Sequence, residues 1–189
     1  MNDMLINYRD KFDLNDDISY LNSAYMGLLP IQSVKAGYKG IDLKAKAWNI
    51  HTEDFYNPPE RVRALAADLL SCSDNDIFFM PSSSYGLATF ANNFKLNNKK
   101  TILLLEEEFP SNVYIWKDLA LRQNAKIKYV KRPKNNNWTD EIINNIDINT
   151  GLISVPQTHW VDGAFIDLEK ISDYIKNTDI ALAVDATQS

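Results

Sequence analysis

The chain has little cysteine, glycine or histidine, and no long apolar run. Its one cysteine, Cys72, excludes an internal disulfide and fits a reducing compartment. Its 6 glycines form neither Gly-x-Gly-x-x-Gly nor a Gly-Lys-Ser/Thr loop, which argues against the common nucleotide-binding α/β domains. No apolar stretch is long enough to span a bilayer as a helix, and no signal-peptide pattern opens the chain. A cytoplasmic location without membrane contact is therefore expected. With 20 basic against 25 acidic residues, the formal charge is -5, and no nucleic-acid partner is expected. No metal site is expected either, and no internal repeat stands out.

What is present suits one ordinary globular domain: 189 residues, 45% hydrophobic and 24% charged. Met1 to Tyr20 reads as a polar arm with a short helical piece. Tyr20 to Pro30 reads as extended, punctuated by Gly27 and Pro30. Pro30 suits the first turn of a helix running to about Trp48. Pro58 and Pro59 read as opening another, with Val62, Leu65, Ala66, Leu69 and Leu70 on its buried face and Cys72 buried at its end.

From there strands and helices alternate. Ile77 to Met80 reads as a short strand, followed by Ser82-Ser83-Ser84 and a helix carrying Leu87, Phe90, Ala91 and Phe94. Thr101 to Leu105 is a strand, Glu106 to Glu108 a solvated turn, and Val113, Trp116 and Leu119 lie on a helix. Lys126 to Val130 alternates as a strand does, and the Asn/Lys-rich stretch from Lys131 to Asn137 reads as a loop. A helix from Trp138 through Ile146 takes Thr139 as its cap. Leu152, Ile153 and Val155 mark a strand, and Leu168, Ile171 and Ile175 a helix capped by Asp167. Ile180 to Val184 reads as a strand covered on both faces, with Asp185 at its C-terminal end. The alternation predicts an α/β fold, a mostly parallel sheet with helices on both faces.

Three places carry candidate chemistry. Hydroxyls entering a helix N-terminus, as at Ser82 to Ser84, form either an anion site or a simple cap. Asp185 sits where open α/β sheets bind ligands, or it caps the next turn. Phe109, in Glu-Phe-Pro-Ser-Asn, is either a core residue or a flat apolar surface for a ring.

Ala183-Val184-Asp185-Ala186-Thr187-Gln188-Ser189 follows Thr158-His159-Trp160-Val161-Asp162-Gly163 and Ile166-Asp167-Leu168. Together these resemble the fold-type I pyridoxal 5'-phosphate (PLP) enzymes of the class V aminotransferase and cysteine desulfurase family. The resemblance implies the three-layer α/β/α large domain of that family, truncated here. It implies that Asp185 pairs with the protonated pyridine nitrogen and that Gln188 reaches the 3-hydroxyl. Ser83 and Ser84 match the small residue and Thr/Ser that take the phosphate. Phe109 stands where desulfurases carry a His stacked on the ring, in a context closer to the aminotransferase, epimerase and kynureninase-like branches. Asp185 and Phe109 are thus the residues expected at the chemistry.

Asn22 and Tyr25 fall in the segment that lies near the active-site mouth in similar proteins. Trp160 to Gly163 replaces the Asn-x-x-Gly of desulfurases, with His159 as a possible substitute for the missing contact. The resemblance divides the chain into residues 1–30, an arm and mouth segment, and residues 31–189, the N-terminal part of the PLP-binding domain. The Schiff-base lysine, the rest of that domain and a small C-terminal domain are expected beyond Ser189, so this chain alone is expected to be inactive. A homodimer acting on a small amino-acid substrate is expected, of transaminase, lyase or epimerase type. A cysteine desulfurase and a non-catalytic PLP-binding module are the alternatives.

Overall fold

The computed structural model describes residues 7–189, as two compact units, Met1–Phe79 and Met80–Ser189. The first unit carries helices α1 (Ile31–Ala45) and α2 (Glu53–Leu70). Pro30 immediately precedes α1, where its missing N–H costs no intrahelical bond. Pro58 and Pro59 do not open α2 but lie inside it, so the helix forgoes two backbone donors in its second turn. The expected buried face of α2 is not buried in this chain. Val62, Leu65, Leu69 and Leu70 are exposed, Ala67 is its buried residue, and Cys72 is exposed too.

Ile77–Met80, where the first unit ends and the second begins, is not the expected strand; those residues have no regular structure, and Phe78 and Phe79 are exposed. Helix α3 (Ser83–Asn93) leads to the central strand β1 (Thr101–Leu105), which explains the layering. Side chains alternate across a strand, so Ile102 and Leu104 face one way and Leu103 and Leu105 the other. All four are buried, because a helical layer covers each face. With Ile102 and Leu104 pack Ala91 of α3 and Trp116, Leu119 and Ala120 of α4 (Ser111–Arg122). With Leu103 and Leu105 pack Trp138 and Ile142 of α5 (Trp138–Asn145) and Ile171 and Ile175 of α6 (Leu168–Ile175). Truncating one such leucine to alanine removes about 2–5 kcal/mol.

Strands β2 (Lys126–Val130), β3 (Thr150–Pro156) and β4 (Ala181–Asp185) complete a sheet of order β2-β1-β3-β4. Every pairing is parallel, with Leu103 opposite both Lys128 and Ile153, and Pro156 opposite Asp185. This is the expected α/β/α arrangement. The order reverses direction between β1 and β3, and a crevice opens at such a switch point beyond the carboxyl ends of the strands.

Two local expectations change. Asn137, not Thr139, caps α5, its side chain accepting from the Asp140 N–H. Thr139 Oγ1 instead accepts from the Asp167 N–H at 2.9 Å, joining the starts of α5 and α6. Strand β4 is an edge strand, so Val184 is partly exposed rather than covered on both faces. Asp167 caps α6 as its spacing implies, accepting from the Lys170 N–H at 2.9 Å.

Candidate active site

Beyond the carboxyl ends of β1, β3 and β4 lies a pocket of about 210 Å³. It is lined by Ser83 and Ser84 from the start of α3, Glu108 and Phe109 after β1, and Asp185 and Gln188 at the end of β4. Residues more than a hundred positions apart converge there because a parallel sheet sets all its strand ends on one edge.

At the α3 end the serines divide the work. Ser82 is the cap, its Oγ accepting from the Tyr85 N–H at 3.2 Å. Ser83 Oγ lies 3.2 Å from Thr187 Oγ1, which ties the helix start to the loop after β4. Ser84 lines the pocket beside the first-turn N–H groups, where the helix dipole favours an anion.

Asp185 is half-buried rather than fully buried, because β4 is the sheet edge. Its Oδ1 accepts from the Thr187 N–H at 3.1 Å and from the Thr187 hydroxyl. The carboxylate is thereby held at the pocket in a fixed orientation. Gln188, also half-buried, lines the same space.

Phe109 is half exposed, so it is not a core residue. The turn that carries it is clamped from the loop after β3. Trp160 Nε1 donates to the Glu107 carbonyl at 2.7 Å, and His159 Nε2 lies 3.4 Å from the Glu106 carbonyl. Arg132 pairs with the Glu107 carboxylate at 2.9 Å. Glu107 itself is held at φ 56°, a left-handed conformation that costs a non-glycine residue about 1–2 kcal/mol. Cross-loop bonds of this kind can sustain such strain.

His159 does not line the pocket. It is wholly buried, tilted against Trp138 with ring centroids 4.8 Å apart, and its Nδ1 sits 3.1 Å from Asp162 Oδ1. Placed there, the imidazole braces two loops. Asp162 collects Trp138 Nε1–H at 3.2 Å, the Ala164 N–H at 3.0 Å and the Arg132 guanidinium at 3.5 Å. Burial pushes its carboxyl up, but those N–H donors and His159 outweigh burial and leave it below the usual range. Of the other expected substrate residues, Asn22 and Tyr25 belong to the first unit. Asn22 O accepts from Tyr25 N–H at 3.2 Å and Met26 N–H at 2.9 Å, a tight turn from which Tyr25 projects exposed.

Glu108 was invisible in the acidic triplet, where three consecutive carboxylates read as solvated. Its burial, and a contact with the buried Asn112 four residues on, distinguish it in the fold. Burial pushes its carboxyl above the usual range and Asp185 adds to the rise, against the Phe109 N–H, His159 and Asn112. Thr187 is likewise a residue that the sequence alone did not single out. Among the described residues no group of three or more His, Cys, Asp or Glu is placed to hold a metal, and no helix is long and apolar enough to cross a membrane.

The family model for class V aminotransferases matches residues 44–189. A probable cysteine desulfurase of Mycoplasma genitalium is 32% identical over 134 residues, covering 69% of this chain and 33% of that protein. A kynureninase of Geobacillus thermodenitrificans is 22% identical over 198 residues, covering 99% of this chain and 46% of that protein. Among solved structures, a C-DES variant with glycine covalently linked to its PLP cofactor superposes with a TM-score of 0.82 at 18% identity, over 97% of this chain and 50% of that one. A cysteine desulfurase of Escherichia coli gives 0.79 at 21% identity, over 96% and 49%. The chain thus spans half or less of the length of these proteins. The match over residues 44–189 and the 32% identity place this chain in the class V aminotransferase family.

Proposed function

We propose that this chain holds PLP in the pocket at the carboxyl edge of its sheet and serves a PLP-dependent transformation of an amino acid. The observation that carries the reading is the convergence of Ser83, Ser84, Phe109, Asp185 and Gln188 on one pocket. The residues fit the group. Hydroxyls and free N–H groups at the α3 start suit a phosphate ester. A carboxylate already oriented by Thr187 suits a protonated ring nitrogen. A buried Glu108 oxygen without a hydrogen-bond partner among the described residues marks the space between them as one built for a polar guest. When bound, PLP supplies the electron sink for chemistry at the amino-acid α-carbon.

In this reading Ser84 and the α3 N–H groups take the phosphate, and Asp185 holds a proton on the ring nitrogen. Gln188 reaches the ring hydroxyl, and Phe109 covers a ring face and excludes water. Phe109 has no proton to give, which favours a transaminase, lyase or epimerase type of reaction. In this reading the protein is a cytoplasmic homodimer; the exposed Val34, Tyr38 and Ile41 of α1 support the dimer.

The test is a titration of the chain with PLP, followed by quenching of tryptophan fluorescence, since Trp160 packs against Phe109 at the pocket. Saturable quenching is expected. Asp185→Asn should weaken it about 10- to 100-fold, the equivalent of about 1.5–3 kcal/mol for a hydrogen bond to a charged group. No quenching at millimolar PLP, or no change in Asp185→Asn, would overturn the reading. A second reading, cysteine desulfurase, is favoured by the 32% identity to the mycoplasmal protein. Sulfide release from cysteine by the full-length protein, at rates matching its turnover of other amino acids, would select it.

A further inference from the structure

Next to the pocket, a short chain of buried polar groups joins β3 to the turn that presents Phe109. Asn112, the second residue of α4, is wholly buried. Its Oδ1 accepts from Trp116 Nε1–H at 2.9 Å and from the hydroxyl of Ser154, in β3, at 2.6 Å. An indole nitrogen only donates, so the amide can be oriented one way, with Nδ2 as a donor turned from Trp116. That buried Nδ2 has no hydrogen-bond partner among the described residues, and neither has the buried Oε2 of Glu108. The Asn112 amide is near enough to act on the Glu108 carboxyl, so the unmatched donor and the unmatched acceptor are complements.

The same two residues hold the backbone of Phe109. Glu108 Oε1 accepts from the Phe109 N–H at 2.6 Å, and the Asn112 N–H donates to the Phe109 carbonyl at 2.9 Å. Both backbone polar groups of the pocket aromatic are thus taken by its neighbours in the turn. A donor at each carboxylate oxygen suits an ionised Glu108, and that charge strengthens both bonds.

We propose that Asn112 and Glu108 act as one positioning pair, in which Asn112 Nδ2 donates to Glu108 Oε2 and the pair fixes Phe109 at the pocket. Ser154 and Trp116 set the amide, the amide sets the carboxylate, and the carboxylate sets the Phe109 N–H. Phe109 is thereby tied to β3, whose Pro156 lines the same pocket. A carboxylate oxygen has two acceptor sites, so Oε2 keeps one for a polar guest. What the pair does for that guest rests on the PLP reading, in which Phe109 covers a ring face; the pair itself does not.

The test exchanges donor and acceptor. Asn112→Asp keeps an Oδ1 for Trp116 and Ser154 but sets a second oxygen against Glu108. Glu108→Gln keeps an acceptor for the Phe109 N–H but sets an amide N–H against the Asn112 amide. Each single variant faces like with like, whereas the double variant restores one donor and one acceptor in reversed order. Urea unfolding should show the two substitutions coupled by about tenfold in the unfolding equilibrium, within the range for residues of one hydrogen-bond network. A positioning pair also moves Phe109. Nuclear Overhauser cross-peaks between the Phe109 and Trp160 rings, whose centroids lie 5.4 Å apart, should weaken in each single variant and return in the double. PLP affinity, read by tryptophan quenching, should fall about three- to tenfold in each single variant, the worth of one aromatic contact, and recover in the double. Additive losses of stability, or ring cross-peaks that no variant moves, would overturn the proposal. Should both single variants fail to fold, the double variant decides by itself. Folded with the ring contact restored, it supports the pair; unfolded, or folded without that contact, it refutes it. No PLP binding by the parent chain, with the coupling and the ring contact as expected, would count against the PLP reading alone.

Discussion

Trp160 stands edge-on to Phe109, with ring centroids 5.4 Å apart and planes at 90°. The same indole donates to the Glu107 carbonyl, so one side chain fixes both the backbone of the β1–α4 turn and the aromatic that the turn presents. Trp160→Phe keeps an aromatic edge but removes the donor. The expected cost is about 0.5–1.5 kcal/mol, one hydrogen bond at a half-exposed site. Trp160→Ala also removes the aromatic pair, worth about 0.5–1.5 kcal/mol more. Urea unfolding of the two variants checks the order. Equal stabilities of the two variants would mean that the aromatic pair contributes nothing, and a Trp160→Phe variant as stable as the parent would mean the same of the indole N–H.

Asp162 gives the fold an acid-sensitive joint. Its side chain is 12% exposed and binds Trp138, Ala164, His159 and Arg132, linking α5 to the loop that clamps the Phe109 turn. Because its carboxyl lies below the usual range, it contributes stability above the ordinary aspartate value of 3.8, and that stability fades as pH falls through the folded value. Asp162→Asn should therefore cost about 1.5–3 kcal/mol at neutral pH, the range for hydrogen bonds to a charged group. The deficit should shrink below about pH 4. A thermal-melting series from pH 3 to pH 7 measures it, and a deficit that grows in acid would contradict the assigned direction.

Much of the sheet was legible in the sequence because β1 and β2 occupy the apolar or alternating runs Thr101–Leu105 and Lys126–Val130. Asp167 was legible as a cap for the same local reason. The missed features depend on partners distant in sequence. Ile77–Met80 has a strand's composition but no strand beside it. Thr139 looks like a cap until the Asp167 N–H claims its hydroxyl, leaving Asn137 to cap α5. Leu65 and Leu69 have helical spacing, yet spacing cannot say what covers a face, and here both are exposed. At the pocket, Ser84, Phe109 and Asp185 were legible through motif order. Glu108 was not, because its burial arises only in the folded chain, and an acidic triplet looks solvated on its own.

Gly151 is required by space. A Cβ built there would lie 3.0 Å from Lys99 Cβ, 3.1 Å from Leu96 Cδ2 and 3.2 Å from the Lys99 carbonyl oxygen. Lys99 leads into β1 and Gly151 lies in β3, so relief requires those backbones to part. Gly151→Ala should cost about 1–3 kcal/mol, the range for overpacking. Ala is otherwise the better strand residue, with less backbone entropy to lose, so an unchanged or raised stability in chemical denaturation would show that the Lys99 loop yields freely.

The three serines at the start of α3 can be separated by experiment because they have different partners. Ser82 Oγ is committed to the Tyr85 N–H, so Ser82→Ala should lower stability by about 1 kcal/mol, the usual worth of a cap. Its PLP affinity should stay within about twofold, since stability and affinity add independently for groups without a shared partner. Ser84→Asp should do the reverse. An acidic residue in the first turn complements the helix dipole, so the fold should be preserved or slightly stabilised. The added charge falls where a phosphate ester must sit, and at an effective dielectric near 20 two like charges about 4 Å apart repel by about 4 kcal/mol. That is a loss of about a thousandfold in affinity, no detectable fluorescence quenching by PLP. The informative comparison is the pair. Weakened PLP binding in Ser82→Ala with full binding in Ser84→Asp would move the anion site off Ser84, whereas stability lost in one and affinity lost in the other would separate the cap from the phosphate site.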